Sequence, residues 1–308
     1  MLGVRLLQIR GDDAMRILIL GGDGMLGHKA FQVFAPVFET WATVRSSKER
    51  LQTLPNMDST RLIVGIEARS FDSVSRIIGE IRPDVIVNCI GIVKQLKDAE
   101  SHSTTIAINA LFPHLLSERC SESGIRLVQI STDCVFSGKK GNYDEDSEPD
   151  ATDLYGRSKL LGEVIEKNSV TLRTSMIGRE IERSSGLVEW FLGQKGGRVQ
   201  GYRCAIFSGF TTKVLATIIR DIILHHPDLT GLYHVSSEPI NKFDLLCMMR
   251  EAIEIDVEIE PYDDFFCDRS LNSSRFRRLT GFQPPSWPRM IEDLALEASD
   301  YEFMRNTR

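Results

Sequence analysis

The sequence predicts an α/β fold: a doubly wound parallel sheet with a smaller, partly interleaved C-terminal α/β domain. Apolar runs of strand length alternate with helical stretches, a glycine-rich turn follows the first run, and hydroxyl residues end a later one. The chain has 308 residues, enough for one large or two small domains. Its net charge of -6 disfavours a nucleic-acid-binding surface, which needs clustered positive charge.

The strands are predicted from short apolar runs bounded by polar or turn-forming residues. They cover residues 16–20, 38–44, 61–65, 84–89, 126–131 and 170–173. A domain boundary is expected near residue 175. Beyond it, helices are predicted at Leu187–Leu192 and Lys213–Leu224, and the region from Asp228 onward is expected to complete the smaller domain.

The first strand runs into a glycine-rich turn, G-G-D-G-M-L-G, at residues 21–27. Apolar residues with helical spacing follow, so the glycines lie where a strand hands over to a helix. Such a turn lets a pyrophosphate approach the backbone and the helix N-terminus. The spacing is G-x-x-G-x-x-G rather than G-x-G-x-x-G, and an ordinary tight turn is the alternative. The candidate residues for this contact are Gly21, Gly24, Met25, Leu26 and Gly27.

Tyr155 and Lys159 form a second candidate feature, because residues four apart lie on one face of a helix. A nearby cation favours the phenolate and lowers the pKa of a tyrosine. Such a pair can pass a proton to a carbonyl oxygen. The alternative is an aromatic anchor beside a solvated lysine.

A third feature is the apolar strand at residues 127–130, which ends in Ser131 and Thr132. Ligand sites in open parallel sheets gather at the carboxyl ends of the strands. These hydroxyls are therefore expected at the site of chemistry, with a helix cap or a turn as the alternative.

Together these motifs resemble an extended short-chain dehydrogenase/reductase, and within that superfamily the dTDP-4-dehydrorhamnose reductases. The resemblance runs from about Met15 to the end of the chain. It rests on the glycine turn and on several further segments. These segments are Val87–Gly91, Asn109–Ala110, Ser131–Gly138, Tyr143–Asp146, Tyr155–Lys159, Leu172–Ser175, Gly231–Val235 and Pro285–Trp287.

The resemblance implies a Rossmann domain at residues 15–175 that binds NADP, and a mainly substrate-binding region at residues 176–308 with an interleaved boundary. The implied reaction is NADPH-dependent reduction of the C4 keto group of a nucleotide-linked 4-keto-6-deoxy sugar, in deoxysugar and polysaccharide precursor biosynthesis. Tyr155 would protonate the developing alkoxide, Lys159 would lower the tyrosine pKa and hold the nicotinamide ribose, and Thr132 would bond the carbonyl oxygen. Asn109 either braces the active-site helix or serves as a buried structural amide.

The resemblance also extends the sets of binding residues. The further cofactor residues are Asn88, Ile90, Gly91 and Ser131, together with Tyr155 and Lys159. The substrate residues are Asp133, Val135, Arg179, Arg269 and Asn272. The segments at 176–179 and 207–212 depart from the rhamnose reductases, so the identity of the nucleotide and of the sugar stays open.

The residues after the second strand predict the choice of cofactor. Arg45 and Ser46 lie there, roughly twenty residues past the glycines. An acidic residue there would favour NADH, whereas an arginine and a serine suit a 2′-phosphate. NADPH is therefore the expected cofactor, with NADH as the alternative. The alternative interpretation is that Arg45 is an exposed arginine at the end of a strand and binds no ligand.

Cys134 bears on the reaction type, because sugar-nucleotide dehydratases of the superfamily carry a glutamate after the Thr-Asp pair. A thiol is a poor replacement for that carboxylate as a proton carrier, so reduction is favoured over dehydration. C4 epimerisation remains an alternative. A third reading, from another class, is a non-catalytic NADP-binding regulatory subunit like that of methionine adenosyltransferase.

The remaining expectations concern location and partners. Residues 1–14 are expected to form a disordered extension, with Met15 as an alternative start, and no signal peptide or membrane span is found. We expect a cytoplasmic protein without a metal site, nucleic-acid partner or membrane partner, and a homodimer is one alternative for its assembly. The six scattered cysteines are expected to pack as small hydrophobic residues.

Overall fold

The computed structural model of the protein describes residues 14–45, 48–93, 101–181 and 185–306. The expected extension at residues 1–14 lies outside the described residues, apart from Ala14. In chain order the strands are β1 (Arg16–Leu20), β2 (Glu39–Val44), β3 (Leu62–Val64), β4 (Val85–Asn88), β5 (Arg126–Thr132), β6 (Ser169–Thr174), β7 (Met176–Ile177), β8 (Arg198–Tyr202), β9 (Ala205–Phe207), β10 (Phe210–Thr211), β11 (Gly231–His234), β12 (Ile240–Asn241), β13 (Glu258–Tyr262) and β14 (Cys267–Asp268).

Helices separate most of these strands. They are α1 (Met25–Phe34), α2 (Phe71–Ile81), α3 (His102–Ile106), α4 (Phe112–Ser123), α5 (Leu154–Leu161), α6 (Leu187–Leu192), α7 (Thr212–His225), α8 (Lys242–Ile253), α9 (Ser274–Thr280), α10 (Trp287–Leu296) and α11 (Ala298–Asn306). A π-helical stretch at Ala107–Leu111 joins α3 to α4.

Seven strands form one parallel sheet in the order β11-β6-β5-β4-β1-β2-β3. The order reverses at β1, which pairs with β2 on one side and β4 on the other, so the carboxyl ends of these three strands meet at a switch point. Ligands bind at such points in open α/β sheets. The predicted doubly wound sheet is confirmed, and each predicted strand is found within one residue of its expected limits.

Both faces of the large sheet are covered, as an almost continuous apolar strand such as β1 requires. Ile17 and Ile19 face a cluster that includes Phe31 of α1. The alternate residues Leu18 and Leu20 face a second cluster on the other side of the sheet. The sheet therefore gives the loops at its carboxyl edge a rigid base.

Two elements beyond residue 175 return to this sheet. β11 pairs with β6 in parallel, and α7 packs beside α1 with its apolar face buried. The part of the chain after residue 175 thus supplies both a strand and a covering helix to the large sheet. This arrangement accords with the interleaving expected from the sequence.

The rest of the C-terminal half forms small sheets. One of them has the order β12-β9-β14, and it leads into Lys242 at the start of α8 and into Arg269 just after β14. The Arg269 side chain reaches back to donate to the Phe136 carbonyl at 2.8 Å. None of the helices in the described ranges combines the length and apolar character that a bilayer crossing requires.

The turn between β1 and α1 depends on the absence of a side chain at Gly27. A Cβ there would lie 1.9 Å from the Gly21 carbonyl oxygen, so Gly27→Ala must move the turn away from the helix. We expect the substitution to lower the free energy of unfolding by about 1–3 kcal/mol, the usual range for overpacking. Urea denaturation followed by circular dichroism measures the change.

Gly79→Ala is the matched control, because Gly79 lies inside α2 and a Cβ there meets no atom within 4 Å. Alanine should raise the stability of that helix by about 0.5–1 kcal/mol. Equal effects of the two substitutions would contradict the close approach at Gly27.

Candidate active site

The glycine-rich turn places a helix N-terminus at the switch point of the sheet. Gly21 has a left-handed φ of 85°, which favours glycine, and its carbonyl accepts from the Gly24 N–H at 3.0 Å. Because α1 begins at Met25, the N–H groups of its first turn have no preceding helical carbonyl to bond. Such groups bind anions. The residues predicted to hold a pyrophosphate, Gly21, Gly24, Met25, Leu26 and Gly27, are thus brought together.

Arg45 follows β2 and points toward this turn. Its Nε lies 3.5 Å from Oδ2 of Asp23, and its side chain is 53% exposed. The guanidinium therefore stands at the rim of the turn, within reach of an anionic ligand. Ser46, its predicted companion, lies outside the described residues.

The end of β4 forms the other wall of the crevice. The Asn88 amide donates to Oε1 of Gln129 at 2.8 Å, and its oxygen accepts from the Ile90 N–H at 3.1 Å. A Cβ at Gly21 would meet Cγ1 of Ile90 at 3.0 Å. Ile90 therefore lies beside the glycine turn, and the predicted residues Asn88 and Gly91 flank it along the chain.

Asn109 connects this wall to the helix that carries Tyr155. Its oxygen accepts from the Ile92 N–H at 2.8 Å, and its Nδ2 donates to the Ile92 carbonyl at 2.9 Å and to Oγ of Ser158 at 3.3 Å. The two alternatives for Asn109 are therefore one arrangement: a buried amide that braces α5.

The position of α5 brings Tyr155 and Lys159 to the carboxyl end of β5. Asp153 caps the helix by accepting from the Gly156 N–H at 2.8 Å. A Cβ at Gly156 would lie 2.2 Å from the Cys134 carbonyl oxygen, so this glycine permits close contact between α5 and the turn after β5.

Thr132 lies between these elements. Its Oγ1 accepts from the Cys134 N–H at 3.1 Å and donates to Oδ1 of Asp133 at 3.1 Å. The Thr132 side chain also lies close enough to the Tyr155 phenol to lower the pKa of that phenol. The predicted hydroxyl and phenol are therefore neighbours.

The electrostatics of Tyr155 differ from the expectation that Lys159 lowers its pKa. Burial, with a contribution from Cys134, raises the tyrosine pKa, and the nearby Thr132 side chain offsets this only in part. The Lys159 ammonium instead donates to the Ile130 carbonyl at 2.7 Å. Burial lowers the pKa of Lys159 to about 8 despite the nearby Glu163 carboxylate. Desolvation thus exceeds charge attraction at Lys159, whereas at Tyr155 burial and the nearby acidic groups act in the same direction, so the phenol is neutral at pH 7.

A buried chain of polar groups continues from Lys159. Glu163 accepts from Oγ of Ser131 at 2.7 Å and pairs with Nε and Nη2 of Arg173 at 2.7 and 2.8 Å. Arg173 in turn donates to Nε2 of His234 at 3.2 Å. Since an arginine has no acceptor, Nδ1 of His234 carries the proton and donates to the Tyr143 carbonyl at 2.9 Å. The Ser131 hydroxyl, predicted to bind the cofactor, is thus bonded inside the protein.

Two cations from the C-terminal half approach Asp133 and Cys134. Arg269 places Nη1 3.8 Å from Sγ of Cys134, and the Lys242 ammonium lies 4.0 Å from the centroid of the Phe207 ring. Burial raises the pKa of Asp133, and Arg269 and Lys242 oppose that shift. Burial lowers the pKa of Lys242 to about 8.

Three predicted substrate residues have other surroundings in the structure. Arg179 is buried, with Nε 2.7 Å from Oε1 of Glu189 and its guanidinium carbon 4.9 Å from the centroid of the Tyr301 ring. We therefore correct its assignment from substrate binding to a structural ion pair. Val135 is also corrected, because its side chain is fully buried in a small apolar cluster. The Asn272 oxygen accepts from the Ser274 N–H at 3.0 Å and so supports the start of α9.

Sequence reasoning missed Lys242 and Glu163. Glu163 carried a usable signal, since it lies four residues after Lys159. Lys242 carried none, because only the pairing of β12 and β14 with β9 brings the start of α8 toward Cys134.

The chain is similar to several known proteins. A family model described as the RmlD substrate binding domain matches residues 15–298. The methionine adenosyltransferase 2 subunit beta of Bos taurus is 27% identical over 261 residues, which cover 78% of this chain and 72% of the bovine protein. The spore coat polysaccharide biosynthesis protein SpsK of Bacillus subtilis (strain 168) is 28% identical over 242 residues, covering 74% of this chain and 84% of SpsK.

A solved structure shares the same fold. It is the crystal structure of a hypothetical dTDP-4-dehydrorhamnose reductase from Sulfolobus tokodaii, with a TM-score of 0.74 and 26% sequence identity. The superposition covers 89% of this chain and 98% of that one.

The buried His234 makes stability depend on pH. Burial lowers its pKa to about 4 from the usual 6.5, so between these values the unfolded chain binds more protons than the folded one. Stability should therefore fall as the pH drops from about 6.5 to 4, by up to about 1.4 kcal/mol per pH unit for this group. In His234→Asn, urea denaturation across this range should show a slope smaller by that amount. An unchanged slope would count against a neutral, buried imidazole.

Proposed function

Because this chain belongs to the RmlD substrate binding domain family, as the sequence resemblance predicted, we propose that it reduces the C4 keto group of a nucleotide-linked 4-keto-6-deoxy sugar with NADPH. The observation that carries the proposal is the meeting of Thr132, Tyr155 and Lys159 at the carboxyl end of β5. The parallel order of the sheet places this group across the switch point from the glycine turn. The cofactor, when bound, supplies the hydride, and the chain supplies position, charge and a proton.

The neutral phenol of Tyr155 suits the proton-donating step of a reduction. A carbonyl that receives a hydride becomes an alkoxide and needs a proton donor, and a phenol with a raised pKa is a donor at neutral pH. Thr132 would turn its hydroxyl from Asp133 to donate to the same oxygen and orient it. Lys159 would contact the nicotinamide ribose from its place beside the Ile130 carbonyl.

The surroundings of Cys134 disfavour dehydration. Elimination of water needs an acid and a base whose pKa values suit the transfer, and burial raises the pKa of the Cys134 thiol to about 12. The thiol is therefore protonated at neutral pH and cannot replace the glutamate of the dehydratases. C4 epimerisation uses the same three residues and stays an alternative.

Arg45 supports NADPH over NADH. Its half-exposed guanidinium stands beside Asp23 at the rim of the glycine turn, where a 2′-phosphate could replace the aspartate as its partner. NADH remains the alternative cofactor. The deoxysugar and polysaccharide setting, the cytoplasmic location and the homodimer also remain proposals.

The assay that tests the reaction follows NADPH absorbance against a panel of dTDP-, UDP- and GDP-linked 4-keto-6-deoxy sugars. Tyr155→Phe keeps the ring and removes the proton, so kcat should fall by a factor of about 10² or more. The dissociation constant of NADPH, measured by fluorescence, should change little. Full activity in the variant would sink the assigned role of Tyr155.

A non-catalytic role as a regulatory subunit is the second candidate, because beta subunits of methionine adenosyltransferase 2 are among the relatives. If no sugar on the panel is turned over while NADPH binds tightly, the reductase proposal fails. Calorimetric titration with a methionine adenosyltransferase catalytic subunit would then test the regulatory role, which Tyr155→Phe should leave intact.

Lys242 is proposed as a residue that binds the sugar nucleotide. Its ammonium, from the C-terminal half, interacts with the charges of Asp133 and Cys134, the two residues that follow Thr132. Lys242→Met keeps the packing on Phe207 and removes the charge. We expect the KM of the sugar nucleotide to rise about tenfold, the loss of one hydrogen bond to a charged group.

The control for this substitution is Lys195→Met, since Lys195 is exposed in the turn after α6 and should leave the kinetics unchanged. The NADPH dissociation constant should be the same in both variants. A lower kcat in Lys242→Met without a change in KM would argue against a binding role.

A further inference from the structure

The last helix of the described chain, α11, is linked to the glycine turn at residues 21–27. Tyr301 of α11 is 1% exposed, and its hydroxyl lies 2.6 Å from Nε2 of His28 in α1. The other ring nitrogen of His28, Nδ1, lies 2.7 Å from the carbonyl oxygen of Gly24. A phenol near the end of the chain is thus connected, through one imidazole, to the glycine turn.

The direction of both hydrogen bonds follows from the partners. A carbonyl oxygen only accepts, so Nδ1 of His28 carries the proton, and Nε2 must accept from the Tyr301 hydroxyl. Burial lowers the pKa of His28 to about 3 and raises the pKa of Tyr301. The imidazole therefore stays neutral and the phenol stays a donor throughout the physiological pH range.

This arrangement fixes the orientation of one peptide group. The Gly24 carbonyl also accepts from the His28 backbone N–H at 3.2 Å, so two donors hold it toward the helix. In a planar trans peptide the N–H points away from the carbonyl. The Met25 N–H is therefore turned outward from the N-terminus of α1, where an anion binds.

Charged groups hold α11 in this place. Nζ of Lys29 lies 3.0 Å from Oε2 of Glu297, just before α11, and both side chains are largely buried. Arg179, held by Glu189, stacks on the Tyr301 ring. The guanidinium that the sequence assigned to the substrate thus supports the phenol instead.

We propose that Tyr301 and His28 are positioning residues that orient the Gly24–Met25 peptide for the pyrophosphate of a dinucleotide cofactor. Docking of α11 and binding of the cofactor are then coupled, and each strengthens the other by the same factor. The inference rests on the proposed function only in taking a nicotinamide dinucleotide as the ligand.

Tyr301→Phe tests the hydrogen bonds that run from Tyr301 through His28 to Gly24. The substitution keeps the ring against Arg179 and Lys29 and removes only the hydroxyl. We expect the dissociation constant of NADPH to rise about fivefold, the usual effect of one lost hydrogen bond. A dissociation constant within the error of wild type would overturn the proposal, even if the thermal midpoint falls.

Thr171→Val is the matched control. Thr171 lies fully buried in β6 and donates to the Val164 carbonyl at 2.6 Å. The variant therefore also loses one buried hydroxyl, in a different part of the protein. It should lower the thermal midpoint and leave NADPH affinity unchanged. An equal loss of NADPH affinity in both variants would show a general effect of instability and would overturn the proposed role of Tyr301 and His28.

Hydrogen exchange on the wild-type protein gives a second test that needs no variant. NADPH should slow amide exchange in residues 298–306, because binding and docking of α11 favour each other. Unchanged exchange there, with slowed exchange in α1, would contradict the coupling. Neither experiment contains a sugar, so a failure of the reductase proposal on the substrate panel remains a separate result.

Discussion

The close backbone contact between α5 and its neighbours is the constraint on which the site depends. A Cβ at Gly156 would lie 2.2 Å from the Cys134 carbonyl oxygen, and a Cβ at Gly162 would lie 1.9 Å from that of Asn109. The helix is therefore held between the turn after β5 and the π-helical stretch that joins α3 to α4. Because Tyr155 directly precedes Gly156 and Lys159 lies between the two glycines, their position is set by backbone atoms, which move less than side chains.

Desolvation controls the chemistry of the groups placed in this way. Burial outweighs charge attraction at Lys159 and at Lys242 and lowers the pKa of each to about 8, and it raises the pKa of Tyr155. Charges that stay buried are paired, as Arg173 and Glu163 are at 2.7 Å. Removing one partner of such a pair leaves an uncompensated charge. The buried pair of Arg173 and Glu163 thus favours a single arrangement of the neighbouring residues of the site.

The strands and the motifs were predictable because each is encoded by neighbouring residues. An apolar run predicts a buried strand, and glycines after it predict the turn, so the Gly21–Gly27 segment and the strand before Thr132 lie where the sequence indicated. The assignments of Arg179 and Val135 to the substrate were wrong in detail for the opposite reason. Both assignments rested on the position of the residue in a motif. The direction of the Arg179 side chain depends on Glu189 and Tyr301, and that of Val135 depends on an apolar cluster.

The sequence by itself determined the class of fold, the place of the glycine turn and the order of Thr132, Tyr155 and Lys159 along the chain. These follow from local periodicity and backbone preference, which act over a few residues. The tertiary structure alone decided which distant groups meet: Lys242 and Arg269 near Asp133, and Tyr301 against His28. Contacts across hundreds of residues and the pKa shifts they cause depend on burial and packing, and the pattern of neighbouring residues does not encode them.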